Sequence, residues 1–516
     1  MSFLLNNQRP FSNPVLWGAF LLYIVIAATT IANHEMWGDE IHSWNIAKAS
    51  AGYTELIHNI RYEGHPPVWY TILWSISNFT HDIGYVQVVH IIIACLSVFL
   101  LLFFSNIPVF LRVLIPFGYF FLYEYAVLSR NYAIGVLLAL SICVILSREF
   151  RNKYLLYYGL LFLLTNTHLL AMLLAASIHL YFLLLKYEQK KRITAVYAHA
   201  LTGILVALPS CYFMFPPSDS QLNTQFWVDR WNYHNLTAFV QAPLRSFLPM
   251  PAWWNTSFWH TEFLIELKDS HIVFKALNVL VALLFIWLAY SVLKTNRKSL
   301  LLFFANFLLS FLVAVLVFPM TSARYAGFIY IGFVIAFWFF CNESVLTKKK
   351  QWLLAALFFV QLCGGIFASV QDIQRPFSNA FTVKELVNKV PKGEKVVTDY
   401  WAMNAVAAFI DRKMYCIDLG KEISFVQWNS ELGEMAKNPY RYTDGVKKLF
   451  EREHINSVYM VTIGSPTALQ TVDTRLFKTY RLEVVESREG AIEKGGNLYL
   501  YRISSLTNEG LALEKR

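Results

Sequence analysis

The sequence predicts a polytopic α-helical membrane protein of about 11 transmembrane helices followed by a small C-terminal α/β soluble domain. Three observations carry this expectation. Apolar runs near the roughly 20 residues that cross a bilayer recur as far as Val370. Only 15% of the 516 residues are charged, against roughly 25% in soluble domains. After Arg375-Pro376 the pattern changes to short strand-like and amphipathic stretches. This divides the chain into a membrane part, residues 1–370, and an accessory domain, residues 371–516.

The first run, Val15–Ala32, is long, lacks a small-x-small cleavage site and precedes further runs. It reads as a retained helix rather than a removed signal. Tyr85–Phe104, Ile107–Val127, Asn131–Leu146, Tyr154–Thr165, Leu169–Leu185 and Ile193–Phe215 follow. Ile272–Leu293, Leu300–Phe318, Ala326–Phe340 and Trp352–Val370 complete the set, with His65–Phe79 as an extra apolar patch. The cysteines show neither a disulfide framework nor metal-ligand spacing.

A net charge of +10 would suggest nucleic acid in a soluble chain. Here the basic residues cluster in alternate short loops: Arg148, Arg151 and Lys153; Lys186, Lys190, Lys191 and Arg192; Lys294, Arg297 and Lys298; Lys348, Lys349 and Lys350. The bias is topological, with those loops cytoplasmic and no nucleic-acid partner. It places Asp39-Glu40, the segment Pro216–His271 and the tail on the outer face. In that segment Phe226-Trp227, Trp231, Trp253-Trp254 and Trp259 alternate with Asp229, Arg230 and Arg245. Such a mixture suits helices lying in the membrane interface.

In the tail, Lys395–Tyr400, Met414–Ile417 and Ser457–Thr462 read as strands, Trp401–Ile410 and Asp444–Arg452 as helices. Arg475–Val485 and Asn497–Ile503 form a closing pair. GxGxxG and GxxxxGK[ST] patterns are missing, so no nucleotide site is expected.

Charged side chains near a bilayer are costly and concentrate at functional sites. On the outer side these are Asp39-Glu40, between Trp37 and Trp44; Glu63-Gly64-His65-Pro66-Pro67; Glu124; Arg130-Asn131-Tyr132; His168; and Arg324-Tyr325. Each also has a structural reading. Arg130 and Arg324 can anchor helix ends, Glu124 can neutralise Arg130, and His65 can cap a turn. His168 can be a satisfied structural histidine, and Asp39 or Glu40 a helix cap.

Taken in order, these motifs resemble the GT-C glycosyltransferases. The likeness is to the branch of protein mannosyltransferases, aminoarabinose transferases and Rgt-type lipopolysaccharide glycosyltransferases of bacteria. It rests on the acid pair beyond the first span, His-Pro-Pro heading an aromatic stretch, Arg-x-Tyr after the third span and Arg-Tyr late in the bundle. It covers about Val15 to Phe340. The resemblance implies an inverting transferase in the bacterial inner membrane, its site and C-terminal domain on the periplasmic face. The donor would be a polyprenyl-phosphate sugar and the acceptor an envelope glycan, lipid or protein. It implies Asp39 as base with Glu40 beside it, and Arg130 and Arg324 on the lipid phosphate. Here Arg-Asn-Tyr stands where the family pattern has Arg-Pro-Tyr.

The chemistry is coherent without the family. A phosphate leaving group needs cations rather than a proton donor, and guanidinium forks supply them. One carboxylate suffices to take the acceptor's proton. His65, Glu63, Glu124, Tyr132, His168 and Tyr325 complete the expected substrate-binding set. No metal and no cofactor is expected, since no HExxH-type spacing accompanies the histidines. The competing reading is a transporter or flippase of a lipid-linked or anionic substrate, which favours a midplane site between repeats. No repeat is visible.

Overall fold

The computed structural model describes residues 10–189, 193–221, 233–268, 271–410 and 412–506. Phe226, Trp227, Asp229, Arg230 and Trp231, and the basic Lys190, Lys191 and Arg192, lie outside the described residues.

Among the described residues, eight helices are long and apolar enough to cross a membrane. With the elements between them they are α1 (Pro14–Asn33), α2 (Gly38–Ala49), α3 (Val68–Ser77), α4 (Gly84–Phe104), α5 (Tyr132–Ser147) and α6 (Lys153–Thr165). Then come α7 (Leu169–Glu188), α8 (Ile193–Met214), α9 (Ile272–Leu293), α10 (Arg297–Leu316), α11 (Ala323–Glu343) and α12 (Lys348–Gln374). Helices α2 and α3 are short and outside the bundle proper; α5 and α6 are apolar but shorter than the other spans. The extra patch at His65–Phe79 is therefore the ten-residue α3 rather than a full span.

The basic loops gather at one end of the bundle. Lys298 Nζ pairs with Glu188 at 2.6 Å and Glu343 at 3.1 Å. Asn342 donates to Ser147 Oγ at 2.9 Å and accepts from Asn106 at 2.9 Å. The acidic pair and its arginine partners are on the helix termini at the opposite end.

The third apolar run is not one helix. It runs from the Asn106 end toward Arg130 as a short α turn (Val109–Arg112), a 3-10 turn (Ile115–Phe117) and a π turn (Phe120–Glu124). Irregular backbone at membrane depth is tolerated only where protein encloses it, and this stretch is almost wholly buried. Helix α12 lies directly on it at Gly365, while the adjacent Gly364 meets the outer segment at Pro249. A Cβ at Gly365 would stand 2.6 Å from the Phe117 carbonyl oxygen, and one at Gly364 the same distance from that of Pro249. Apolar length alone does not report such a break.

The aromatic outer segment divides. Trp253 and Trp254 are exposed, while Trp259 is buried. The short helices Tyr233–Val240, Ala242–Phe247 and Phe263–Leu267 occupy the described part of it.

The C-terminal domain is built on a six-stranded mixed sheet: β1 (Val396–Thr398), β2 (Met414–Cys416), β3 (Lys421–Ile423), β4 (Ser457–Thr462), β5 (Tyr480–Arg488) and β6 (Leu498–Ser505). The order is β3-β2-β1-β4-β6-β5, with β1 parallel to both β2 and β4 and the remaining pairs antiparallel. Helix α13 (Met403–Ile410) connects β1 to β2. It seats the domain on α2. Asn45 Nδ2 donates to the Asn404 carbonyl at 2.9 Å, and Lys48 Nζ to that of Ala407 at 3.2 Å.

Because a backbone carbonyl cannot yield as a flexible side chain can, Gly365→Val is expected to destabilise the fold by about 1–3 kcal/mol. Thermal unfolding of the detergent-solubilised protein measures this; an unchanged midpoint would contradict the close approach.

Candidate active site

The site begins where α1 ends. Trp37 N-caps α2, and Glu40, at the third helical position, reaches back to accept the Trp37 backbone N–H at 3.0 Å. This is one half of a capping box. It turns Glu40 inward, fully buried, and leaves its neighbour Asp39 facing the other way with 37% of its side-chain surface open.

Glu40 then enters a buried ion network. His34 Nε2 lies 3.1 Å from Glu40 Oε2, and His34 Nδ1 lies 2.8 Å from Asp372 Oδ2 near the end of α12. The other Glu40 oxygen accepts the Ser129 backbone N–H. Burial alone would lower the His34 pKa, but Asp372 and Glu40 outweigh it and raise it to about 10. The ring is an imidazolium between two carboxylates.

Asp39 faces two arginines. Arg324 Nη1 donates to Asp39 Oδ2 at 3.1 Å, and Arg130 Nη2 stands 3.7 Å from the same oxygen. Arg130 Nη1 also donates to the Asp39 carbonyl at 2.6 Å and to Ser43 Oγ at 3.3 Å. Burial would raise the Asp39 pKa, yet Arg130 and then Arg324 hold it below the ordinary 3.8. The Arg324 guanidinium lies over the rings of Tyr325, Trp37 and Trp259, at 5.1, 5.2 and 5.7 Å. These rings hold a cation with little competition for its donors.

The other expected residues divide between this centre and its supports. His65 is half-buried near both arginines. Burial, Arg130 and Arg324 outweigh Glu63 and Asp39 there and bring its pKa down to about 4, so the ring is neutral. Tyr132 is buried at the start of α5, its ring centroid 6.4 Å from Tyr325 and 4.8 Å from His168. Tyr325 accepts from Arg324 Nη2 at 3.3 Å. His168 N-caps α7, its Nδ1 accepting the Ala171 N–H at 3.3 Å. Glu63 pairs with His42 Nε2 at 2.9 Å and accepts from Tyr70 Oη at 3.3 Å. Glu124 does not meet Arg130; it accepts from Tyr119 Oη at 2.9 Å and Trp259 Nε1 at 3.3 Å.

Sequence reasoning did not single out His34, His42, His260 or Asp372, and gave Trp259 only an interfacial role. Asp372 carried a signal, being a lone acid close after an apolar run. His260 carried none. It takes a left-handed backbone (φ 65°), stacks on Trp259 at 3.6 Å and shares a hydrogen bond with Ser322 at 2.9 Å. That geometry is strained for a non-glycine residue, and it brings the ring beside Arg324 and Asp39.

No protein-family model and no curated protein matches the chain. Among solved structures, the chain is similar to the crystal structure of ArnT from Cupriavidus metallidurans bound to undecaprenyl phosphate. The TM-score is 0.53 at 10% identity, over 95% of this chain and 98% of that one. The apo state of ArnT from Cupriavidus metallidurans gives 0.52 at 9% identity, over 94% and 98%. The likeness establishes the fold: a multi-helix membrane protein with a C-terminal mixed-sheet domain, as the GT-C resemblance implied.

His34 generates a pH prediction. An unfolded histidine releases its proton near 6.5, whereas the folded one holds it to about 10. Its stabilisation is therefore complete below pH 6.5 and lost as pH rises to about 10. Thermal unfolding across that window should show the loss, and His34→Gln should flatten it. Asp372→Ala, which breaks a buried pair, is expected to cost about 3–5 kcal/mol.

Proposed function

We propose that this protein is an inverting glycosyltransferase that moves a sugar from a polyprenyl-phosphate donor to an envelope glycan, lipid or protein acceptor, at the outer face of the membrane. One arrangement supports the reading: an open carboxylate, Asp39, between the buried Arg130 and the half-buried Arg324, at the end of the bundle remote from the basic loops. One of the two similar ArnT structures is bound to undecaprenyl phosphate, which agrees in ligand class.

In the reaction the acceptor hydroxyl attacks C1 of the donor sugar. The C1–O bond to phosphate breaks, the polyprenyl phosphate leaves as an anion, and Asp39 takes the hydroxyl proton. Attack opposite the leaving group inverts C1. Arg130 and Arg324 hold the leaving phosphate through charge-assisted hydrogen bonds. Both arginines face Asp39 and keep it a weak base. A donor phosphate that engages them relieves that hold, so the carboxylate gains basicity as the leaving group is fixed. The neutral His65 and Tyr325 line the same centre and orient the reactants. Glu40 acts behind Asp39, and Glu124 and His168 act through the rings and helix ends they support.

Among the described residues no group of three or more His, Cys, Asp or Glu is placed to hold a metal. In this reaction the arginines carry the charge that a divalent ion would otherwise supply.

Purified protein in nanodiscs, given radiolabelled polyprenyl-phosphate sugars and envelope extract, tests the reading. Asp39→Asn is expected to lower transfer at least about 100-fold, the scale of general-base catalysis. Arg324→Lys keeps the charge but loses the planar fork, and should cost roughly 100-fold in kcat/KM. Full transfer by the Asp39 variant would refute its role as base. Because Asp39 titrates below 3.8 in the free protein, kcat/KM should show no acid limb from it above about pH 4. Activity should survive EDTA; loss reversed by Mg²⁺ would overturn metal independence.

A further inference from the structure

The C-terminal domain does more than sit beside the bundle. The ring of Trp428 is 6.3 Å from that of His42, one helical turn after Asp39 on α2, and 6.3 Å from that of Tyr400. Its carbonyl accepts from the Gln221 N–H and from Ser220 Oγ, both at 3.0 Å, which pins the loop that carries it. His42 Nδ1 stands 3.3 Å from Asn404 Oδ1, so the same histidine joins Glu63 of the bundle to α13 of the domain.

Tyr400 and Phe425 line a cavity of about 220 Å³ together with Gln427, Asn429, Lys421 and Glu431. This is smaller than the roughly 300–1,000 Å³ of pockets for drug-sized ligands. Two aromatic rings and two side-chain amides share the lining, and Lys421 is paired with Glu431, so the cationic group is neutralised in place. The other charged lining residues, Lys413 and Glu422, also balance. A free anion would find no net attraction here. A neutral ring with one C–H face and several hydroxyls would meet both kinds of wall. Tyr400 itself is only 2% exposed, so it forms the floor of the cavity.

We propose that this cavity is an acceptor subsite that holds a neutral hexopyranose unit, leading the hydroxyl to be glycosylated past Trp428 and His42 toward Asp39. The assignment of an acceptor rests on the glycosyltransferase reading; the assignment of a hexose site does not.

Two measurements keep them apart. Ligand-observed NMR of the full chain in nanodiscs, without donor, uses methyl β-glucopyranoside and methyl α-galactopyranoside as probes. At least one is expected to bind, with affinity reduced about 5-fold or more by Phe425→Ala and by Gln427→Ala. No binding, or binding indifferent to both variants, overturns the subsite. In the transfer assay the same variants are expected to raise the acceptor KM about 5-fold or more with the donor KM unmoved. An unmoved acceptor KM overturns the acceptor role. Failure of the wild type to transfer, with hexoside binding retained, removes the catalytic reading while the sugar site stands.

Discussion

The structure depends on one buried imidazolium. His34, at the end of α1, stands between Glu40 of α2 and Asp372 of α12, and all three side chains are cut off from solvent. None of these charges is tolerable there alone. Breaking a buried pair leaves a bare ion in a medium that cannot solvate it, at about 3–5 kcal/mol. The pairing therefore closes 338 residues of chain into one contact. Glu40 carries it further by accepting from the Trp37 and Ser129 backbones. Asp39 follows from the first bond and Arg130 from the second, since Asp39 immediately precedes Glu40 and Arg130 immediately follows Ser129. Asp39 and Arg130 are thus placed by neighbours that never face the opening.

That arrangement explains why two adjacent acids have different fates. Successive residues of a helix point about 100° apart, so one can be sealed while the other stays open. Glu40 is neutralised by histidine and used for architecture. Asp39 is neutralised by arginines, whose forks are exchangeable with any other oxyanion of suitable shape. In the proposed reaction a donor phosphate would take the same donors from the carboxylate, which would make the pair a switch for base strength.

The fold was largely readable because hydrophobic length and charge periodicity are local properties. Eleven apolar runs correspond to ten helices and one broken segment, and the basic loops do meet, as Lys298 shows with Glu188 and Glu343. The convergence of Asp39, Arg130 and Arg324 followed from placing each run's ends on one side. Roles within the site were less legible. Whether Glu40 helps or caps is decided by His34 and Asp372, and no spacing links residues that far apart. Glu124 looked like a partner for Arg130 because it is close in sequence; a π turn and Trp259 send it elsewhere. The strand Lys421–Ile423 was missed because it is an exposed edge with no apolar pattern, unlike the equally short but buried β1 and β2, and it forms through pairing with β2.

The broken third segment is where these local and distant constraints meet. A regular helix through Ile107–Val127 would present one face to each neighbour and would end in a fixed direction. The irregular turns instead let the chain deliver several groups to one rim. The π turn places Glu124 on Trp259, one of the rings under Arg324, and Tyr125 Oη donates to the Arg324 carbonyl at 2.7 Å. Four residues later Ser129 is fastened by Glu40, which sets Arg130 against Asp39. Such a path is admissible only if protein covers it throughout. Gly364 and Gly365 allow that cover, since side chains there would hold α12 away. Asp372 lies two helical turns beyond on the same helix, so the contact that shields the irregular backbone also brings the carboxylate that holds His34.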